Sequence, residues 1–209
     1  MNTLAAFPRL CLTVGRPEHL VHVGAHAGQE VGFYRQAGAR RITLVEPNPQ
    51  LAAQLRADFP DASVVQCACG SAPGRGLLHL MEPSNMSTLA APQPVDRVTG
   101  CIEVEVRRLD DIAPDADTAV IDVQGRELDV LAAAPWASLR VVVVETCTVD
   151  DPTMASPHDQ VDAFMAGRGF GEVERWTRPY DDVSGWARGA GVPPRGGEVR
   201  DVVYVRGAG

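Results

Sequence analysis

Apolar residues fall in short runs separated by polar, glycine- or proline-bearing breaks. Leu20-Val21-His22-Val23 is too short for a helix and stops at Gly24. Residues 29–37 carry Val31, Tyr34 and Ala37 on one helical face, and Gly38 supplies the stop. Residues 41–46 form a second strand. Asn48-Pro49 then reads as an N-cap followed by a proline at the first helical position. The helix it opens carries Leu51, Ala52, Leu55 and Phe59, and Pro60 closes it. Residues 63–67 are a third strand, so 20–67 read β-α-β-α-β, the start of a doubly wound parallel sheet.

Residues 70–108 break this rhythm. Two alternating stretches, 76–80 and 102–106, flank a polar segment holding Asn85-Met86-Ser87-Thr88-Leu89, a β excursion where a helix would belong. The rhythm returns with a strand at 119–123, a helix over 126–134 and a strand at 140–145. Ser156-Pro157 is read as the cap of a helix that runs through Val161 and Phe164 to a stop near Gly167–Gly169. Two strands, 171–177 and 199–205, flank a Gly/Pro-rich stretch at 180–198. The last strand follows its predecessor without a helical crossover and must run antiparallel. The expected fold class is α/β: a seven-stranded, mostly parallel sheet with an antiparallel last strand, plus the β excursion between strands three and four.

Composition narrows the chemistry. A chain of 209 residues fits a single domain, 1–209. All 19 basic residues are Arg, so neither a Schiff base nor a P-loop Gly-Lys-Ser/Thr is available. A net charge of −8 argues against a nucleic-acid partner. No run approaches the roughly 18 apolar residues of a membrane span, and Pro8-Arg9 interrupts any signal-like segment. Five cysteines, an odd number, point to reduced thiols and a cytoplasmic location. Cys67-Ala68-Cys69 lacks a second Cys/His pair at ligand spacing, so no metal is expected there.

In an open α/β sheet, ligands bind beyond the carboxyl ends of the strands. Gly24–Gly28, Glu46, Cys67-Ala68-Cys69, Asp122 and Glu145 stand at those ends. Gly24 and Gly28 would let the backbone approach a ligand. An acid at the end of strand two, 22 residues beyond Gly24, suits the two hydroxyls of a ribose. The dinucleotide pattern G-x-G-x-x-G would need glycine at 26 and 29, where His26 and Gln29 stand. That weighs against a nucleotide-dependent oxidoreductase. A nucleoside ligand without phosphates, S-adenosylmethionine, suits the pattern better.

Val21-His22-Val23-Gly24-Ala25-His26-Ala27-Gly28-Gln29-Glu30 followed by Val45-Glu46-Pro47-Asn48-Pro49 resembles the first half of the FkbM family of S-adenosylmethionine-dependent methyltransferases. Leu109-Asp110-Asp111 and the run from Ile121-Asp122-Val123-Gln124-Gly125 to Leu131 are similar to two further family motifs, and Asn85–Leu89 to its serine-rich loop. The resemblance covers about residues 20–146 and implies a class I (Rossmann-like) methyltransferase fold. It also implies roles. Gly24, Ala25, His26 and Gly28 would surround the methionine part of the cofactor and Glu46 would hold the ribose, with His22 and Pro47 as further cofactor-binding residues. Cys67 and Ala68 would line the adenine, with Ser87 and Asp122 near the methyl group. His22 and His26 stand where the family commonly has Asp and Asn, which leaves recognition of the aminoacyl end open.

Methyl transfer to a hydroxyl benefits from a general base. The candidates are Asp122, Glu145 and His26, with His158 a weaker fourth. An Asp122–Glu145 pair could hold Mg²⁺, but hydrogen bonding to the cofactor and the protein is the simpler reading, and no metal is expected. The leading function is O-methylation of a small secondary metabolite or sugar. N-methylation and a non-catalytic cofactor-binding role are the alternatives. Expected partners are a small-molecule acceptor and no membrane. The 180–198 stretch is read as a lid over the site that carries Trp186, as a surface hairpin only, or as placing Trp186 in a homodimer contact.

Overall fold

The computed structural model describes residues 3–94, 96–179 and 196–207. The lid reading of 180–198, Trp186 included, falls almost entirely outside them.

The main sheet runs β3-β2-β1-β7-β8-β11-β10, with β9 (Ser156–Pro157) adding two residues beside β8. Its strands are β1 (His19–Val23), β2 (Arg41–Val45), β3 (Ser63–Val65), β7 (Thr118–Ile121), β8 (Val141–Cys147), β10 (Phe170–Pro179) and β11 (Glu198–Arg206). The strands pair in parallel except β11, which is antiparallel to both neighbours, β8 and β10. This is the expected sheet, one short strand larger. The chain moves outward from β1 through β2 to β3, then returns to the other side of β1 as β7. The switch point therefore lies between β1 and β7, where a crevice opens at the carboxyl ends.

Strands buried on both faces read as continuous apolar runs rather than alternations. In β1, Val21 and Val23 pack on one face with Leu109, Ile121, Leu131, Val144 and Met165. Leu20 packs on the other with Phe7, Tyr34, Leu44, Leu55 and Val143. The helices α1 (Phe7–Val14), α2 (Val31–Gln36) and α3 (Pro49–Asp58) cover the second face, and α4 (Leu109–Ile112), α5 (Glu127–Ala132) and α6 (His158–Ala166) the first. The Asn48 side chain caps α3 by accepting from the Gln50 N–H at 2.9 Å. Gly38 ends α2 at φ +80°. Gly28 sits at φ +74°, where a Cβ would come within 2.3 Å of the Phe59 ring. Its freedom lets the loop before α2 pack on α3.

Three expectations need correction, and one helix is unexpected. The third strand ends at Val65, and Ala68–Cys69 (β4) leaves the main sheet to pair with β6 (Val98–Arg107). β4, β6 and β5 (Gly74–Met81) form a separate three-stranded sheet, which is the β excursion. Helix α1 is not among the expected elements, since Pro8-Arg9 is read only against a signal-like segment. Pro8 instead stands in the first turn, where its missing N–H costs nothing. Ser156 caps no helix: its N–H donates to Glu127 Oε2 at 2.6 Å, and α6 begins two residues later. The second helix starts at Val31 rather than at 29, after a turn closed by Gly28 N–H to Ala25 O.

Candidate active site

The loop after β1 is tied to β2. The N–H groups of Gly24 and Ala25 both donate to Val45 O. Glu46 completes the link: its two carboxylate oxygens accept from the N–H of His26 at 2.8 Å and of Asn48 at 2.9 Å. Glu46 is 6% exposed. Burial raises its carboxyl to about 7 despite the two amides that favour the charged form. Gly24 has φ +85°, and a Cβ there would lie 1.8 Å from the carbonyl oxygen of Asp122. Only glycine lets the β1 and β7 loops approach so closely. His26, at φ +46°, pairs its Nε2 with Ser84 Oγ at 2.9 Å and its Nδ1 with Gln29 Nε2 at 3.2 Å.

The loop after β7 is held from inside by Glu127. Its fully buried carboxylate accepts from the N–H groups of Val123, Gly125 and Ser156. Burial raises its pKa against those bonds. Gly125, at φ +92°, lies where a Cβ would meet Pro152 O at 1.8 Å. Gln124, at φ +54°, is presented between them. Its Nε2 donates to Asp122 Oδ1 at 2.6 Å and to Glu145 Oε2 at 2.8 Å. The other Glu145 oxygen accepts from Arg178 at 2.8 Å, and Arg178 also reaches Asp201 at 3.5 Å. Burial, together with Asp122 and Asp201 nearby, pushes the Glu145 pKa well up, while Arg178 opposes the rise.

Two cavities meet at these loops. The larger, about 370 Å³, runs from the loops to the small sheet, with Val45, Cys67, Ala68, Leu78 and Val106 among its apolar walls. Gly24, His26, Glu46, Pro47, Cys67, Ala68, Ser87 and Asp122 all line it. The smaller, about 180 Å³, is lined by His22, Glu145, Arg178 and Asp201. Both share Gly24, His26, Asn85, Asp122 and Gln124 as their common wall.

Some expected site residues lie elsewhere. Ala25 and Gly28 line neither cavity; Ala25 is wholly buried in the core. His22 belongs to the smaller cavity. Its Nδ1 bonds the Tyr34 hydroxyl at 3.1 Å, and burial lowers its pKa to about 4. His158 sits away from both cavities, its Nδ1 3.3 Å from Thr146 Oγ1. The Ser87 hydroxyl is spent on the turn, donating to Ser84 O at 2.7 Å. Sequence reasoning missed Gln124 as a contact, Glu127 as the clamp, and Arg178 and Asp201 altogether. Glu127 left a readable signal: an acid two residues after a glycine in a strand-to-helix turn, placed to accept loop amides. Arg178 and Asp201 left none, since they arrive from strands far along the chain. Among the described residues, no group of three or more His, Cys, Asp or Glu side chains could hold a metal ion, and no helix is long and apolar enough to cross a membrane.

Solved structures share this architecture. The precorrin-6y C5,15-methyltransferase of Geobacter metallireducens superposes with a TM-score of 0.52 at 14% identity, covering 97% of this chain and 87% of its own. TYW2 of M. jannaschii, in complex with AdoMet, gives 0.50 at 11%, with 99% and 77% covered. YcgJ of Bacillus subtilis gives 0.53 at 9%, with 99% of each chain covered. At such identities the likeness carries the fold, that of the class I methyltransferases. No curated protein matches the chain in sequence. The family model of the FkbM methyltransferase domain matches residues 22–171. The chain belongs to the FkbM methyltransferase family, and S-adenosylmethionine is its cofactor.

Proposed function

We propose that the protein transfers the methyl group of S-adenosylmethionine to a hydroxyl of a small molecule. The observation that carries this reading is the junction of the two cavities at Asp122, with room for the cofactor on one side and for an acceptor on the other. A volume of about 370 Å³ lies within the range of roughly 300–1,000 Å³ usual for ligand pockets. The apolar walls suit the adenine, and the lone pairs that His26 and Asn48 leave on Glu46 suit a ribose diol. When bound, the cofactor supplies a methyl group already activated by its sulfonium. The chain's task is then to hold the acceptor oxygen in line and take its proton. Asp122 stands at the junction and is the base in this reading. Glu145, pushed toward its neutral form and engaged by Gln124 and Arg178, shapes the site instead. His26 is spoken for by Ser84 and Gln29 and positions the loop.

The test is incubation with S-adenosylmethionine labelled at the methyl carbon, together with a small-molecule extract, RNA and protein in separate reactions. The expected label lies in the small-molecule fraction, with the carbon shift of a methyl ether. Label on RNA or protein, or a shift typical of an N-methyl group, would contradict the proposal. Asp122→Asn is expected to lower turnover by about 10²-fold or more, the usual contribution of a general base.

A further inference from the structure

The smaller cavity carries chemistry that the cofactor does not explain. Two buried polar atoms around it lack a hydrogen-bond partner among the described residues: Gln124 Oε1, an acceptor, and Arg178 Nε, a donor. Gln124 is 6% exposed, so its carbonyl oxygen does not spend itself on bulk solvent. Turning the amide over would not help, because it would set Oε1 against the Asp122 oxygen that now accepts from Nε2. An orphaned buried acceptor is destabilising, and a ligand donor would relieve it.

The charges lining this cavity are Glu30, Asp122, Glu145 and Asp201 against Arg178, with His22 and His26 beside them. Arg178 already faces Glu145 and Asp201. His22 is neutral at physiological pH. An anionic ligand would meet excess negative charge and no uncommitted guanidinium. A hydroxyl can both donate to Gln124 Oε1 and accept from Arg178 Nε, whereas an ammonium can only donate.

We infer that the smaller cavity is the acceptor subsite and takes an uncharged, polyhydroxylated molecule, held between Gln124 Oε1 and Arg178 Nε and selected against acids. This rests on the reading of the larger cavity as the cofactor site. At about 180 Å³ it is smaller than the usual ligand pocket, so it receives one polar end of the acceptor rather than the whole. Gln124 is then a specificity-determining residue, and Asp201, beside Arg178, a positioning residue that offsets its charge.

The test is saturation-transfer NMR on protein saturated with S-adenosylhomocysteine. The probes are glucose, glucosamine and glucuronate, one ring with a neutral, cationic or anionic substituent. Glucose is expected to give the strongest signal and glucuronate none. Gln124→Met should weaken the glucose signal about fivefold, the worth of about 1 kcal/mol. Asp201→Asn, which keeps the shape and removes a carboxylate from beside Arg178, should admit glucuronate. That gain of binding does not depend on the first variant folding well. Glucuronate binding as well as glucose in the unaltered protein, glucosamine exceeding both, no probe binding at all, or Asp201→Asn still rejecting glucuronate would each overturn the inference. Calorimetry with S-adenosylhomocysteine on the same samples separates the two failures. No binding there overturns the cofactor reading and the subsite with it, whereas normal binding with the wrong probe pattern overturns the subsite alone.

Discussion

Glu46 shows how one side chain can hold a loop and line a cavity at once. It fastens the glycine loop to β2 through the His26 and Asn48 amides, and it lines the larger cavity. Its raised pKa fixes the sign of a pH effect on folding. Between the ordinary carboxyl value of 4.5 and about 7, the unfolded chain has released a proton that the folded chain still holds. Rising pH through this window therefore favours unfolding, by about 3 kcal/mol in total, and the effect is flat above it. Urea unfolding of the ligand-free protein at pH 5 and pH 8 should show this loss, and Glu46→Gln should lack it. Equal pH dependence in both proteins would mean that Glu46 is not buried as described. Gly24 tests a different point. Reading the sequence assigns its missing side chain to space for a ligand, but the Cβ direction points at the Asp122 carbonyl. Gly24→Ala is therefore expected to lower stability itself, by about 2–4 kcal/mol, through the clash and the positive φ. A variant of normal stability that has merely lost cofactor affinity would restore the first explanation.

At the scale of elements, the strands were legible because burial on both faces turns them into unbroken apolar runs such as Val141–Val144. The α3 cap was legible because Asn-Pro has few other uses. The departure of Ala68–Cys69 into the small sheet was not legible, since pairing with Val106 and Arg107 is a contact across 38 residues. Nor was the two-residue β9 strand, whose Ser156 N–H is drawn to Glu127 rather than used as a cap. The loop from Asp122 to Arg126 depends on that same carboxylate. Glu127→Ala would leave the amides of Val123, Gly125 and Ser156 without their acceptor. The expected cost is about 3 kcal/mol or more. Hydrogen exchange at Val123 and Gly125 should rise much more than in β1. Unchanged protection there would show that the loop is held by other contacts.

Over the whole molecule, topology does what local sequence cannot. The rim of acids and glycines was readable because each of those residues ends a parallel strand, and the β1/β7 switch point collects them. The smaller cavity was not readable, because it is completed by Arg178 and Asp201 from the antiparallel end of the sheet. The two chambers share one wall, and Glu46 lines the larger, bonded to His26 of that wall. The most direct test of this arrangement is calorimetry with S-adenosylhomocysteine at pH 8, where Glu46 is ionised, on the unaltered protein and on Glu46→Ala. The account predicts one equivalent bound by the unaltered protein. It predicts a folded variant whose affinity is lower by about 1.5–3 kcal/mol, roughly 10- to 150-fold. A folded variant that binds as tightly as the unaltered protein would contradict it.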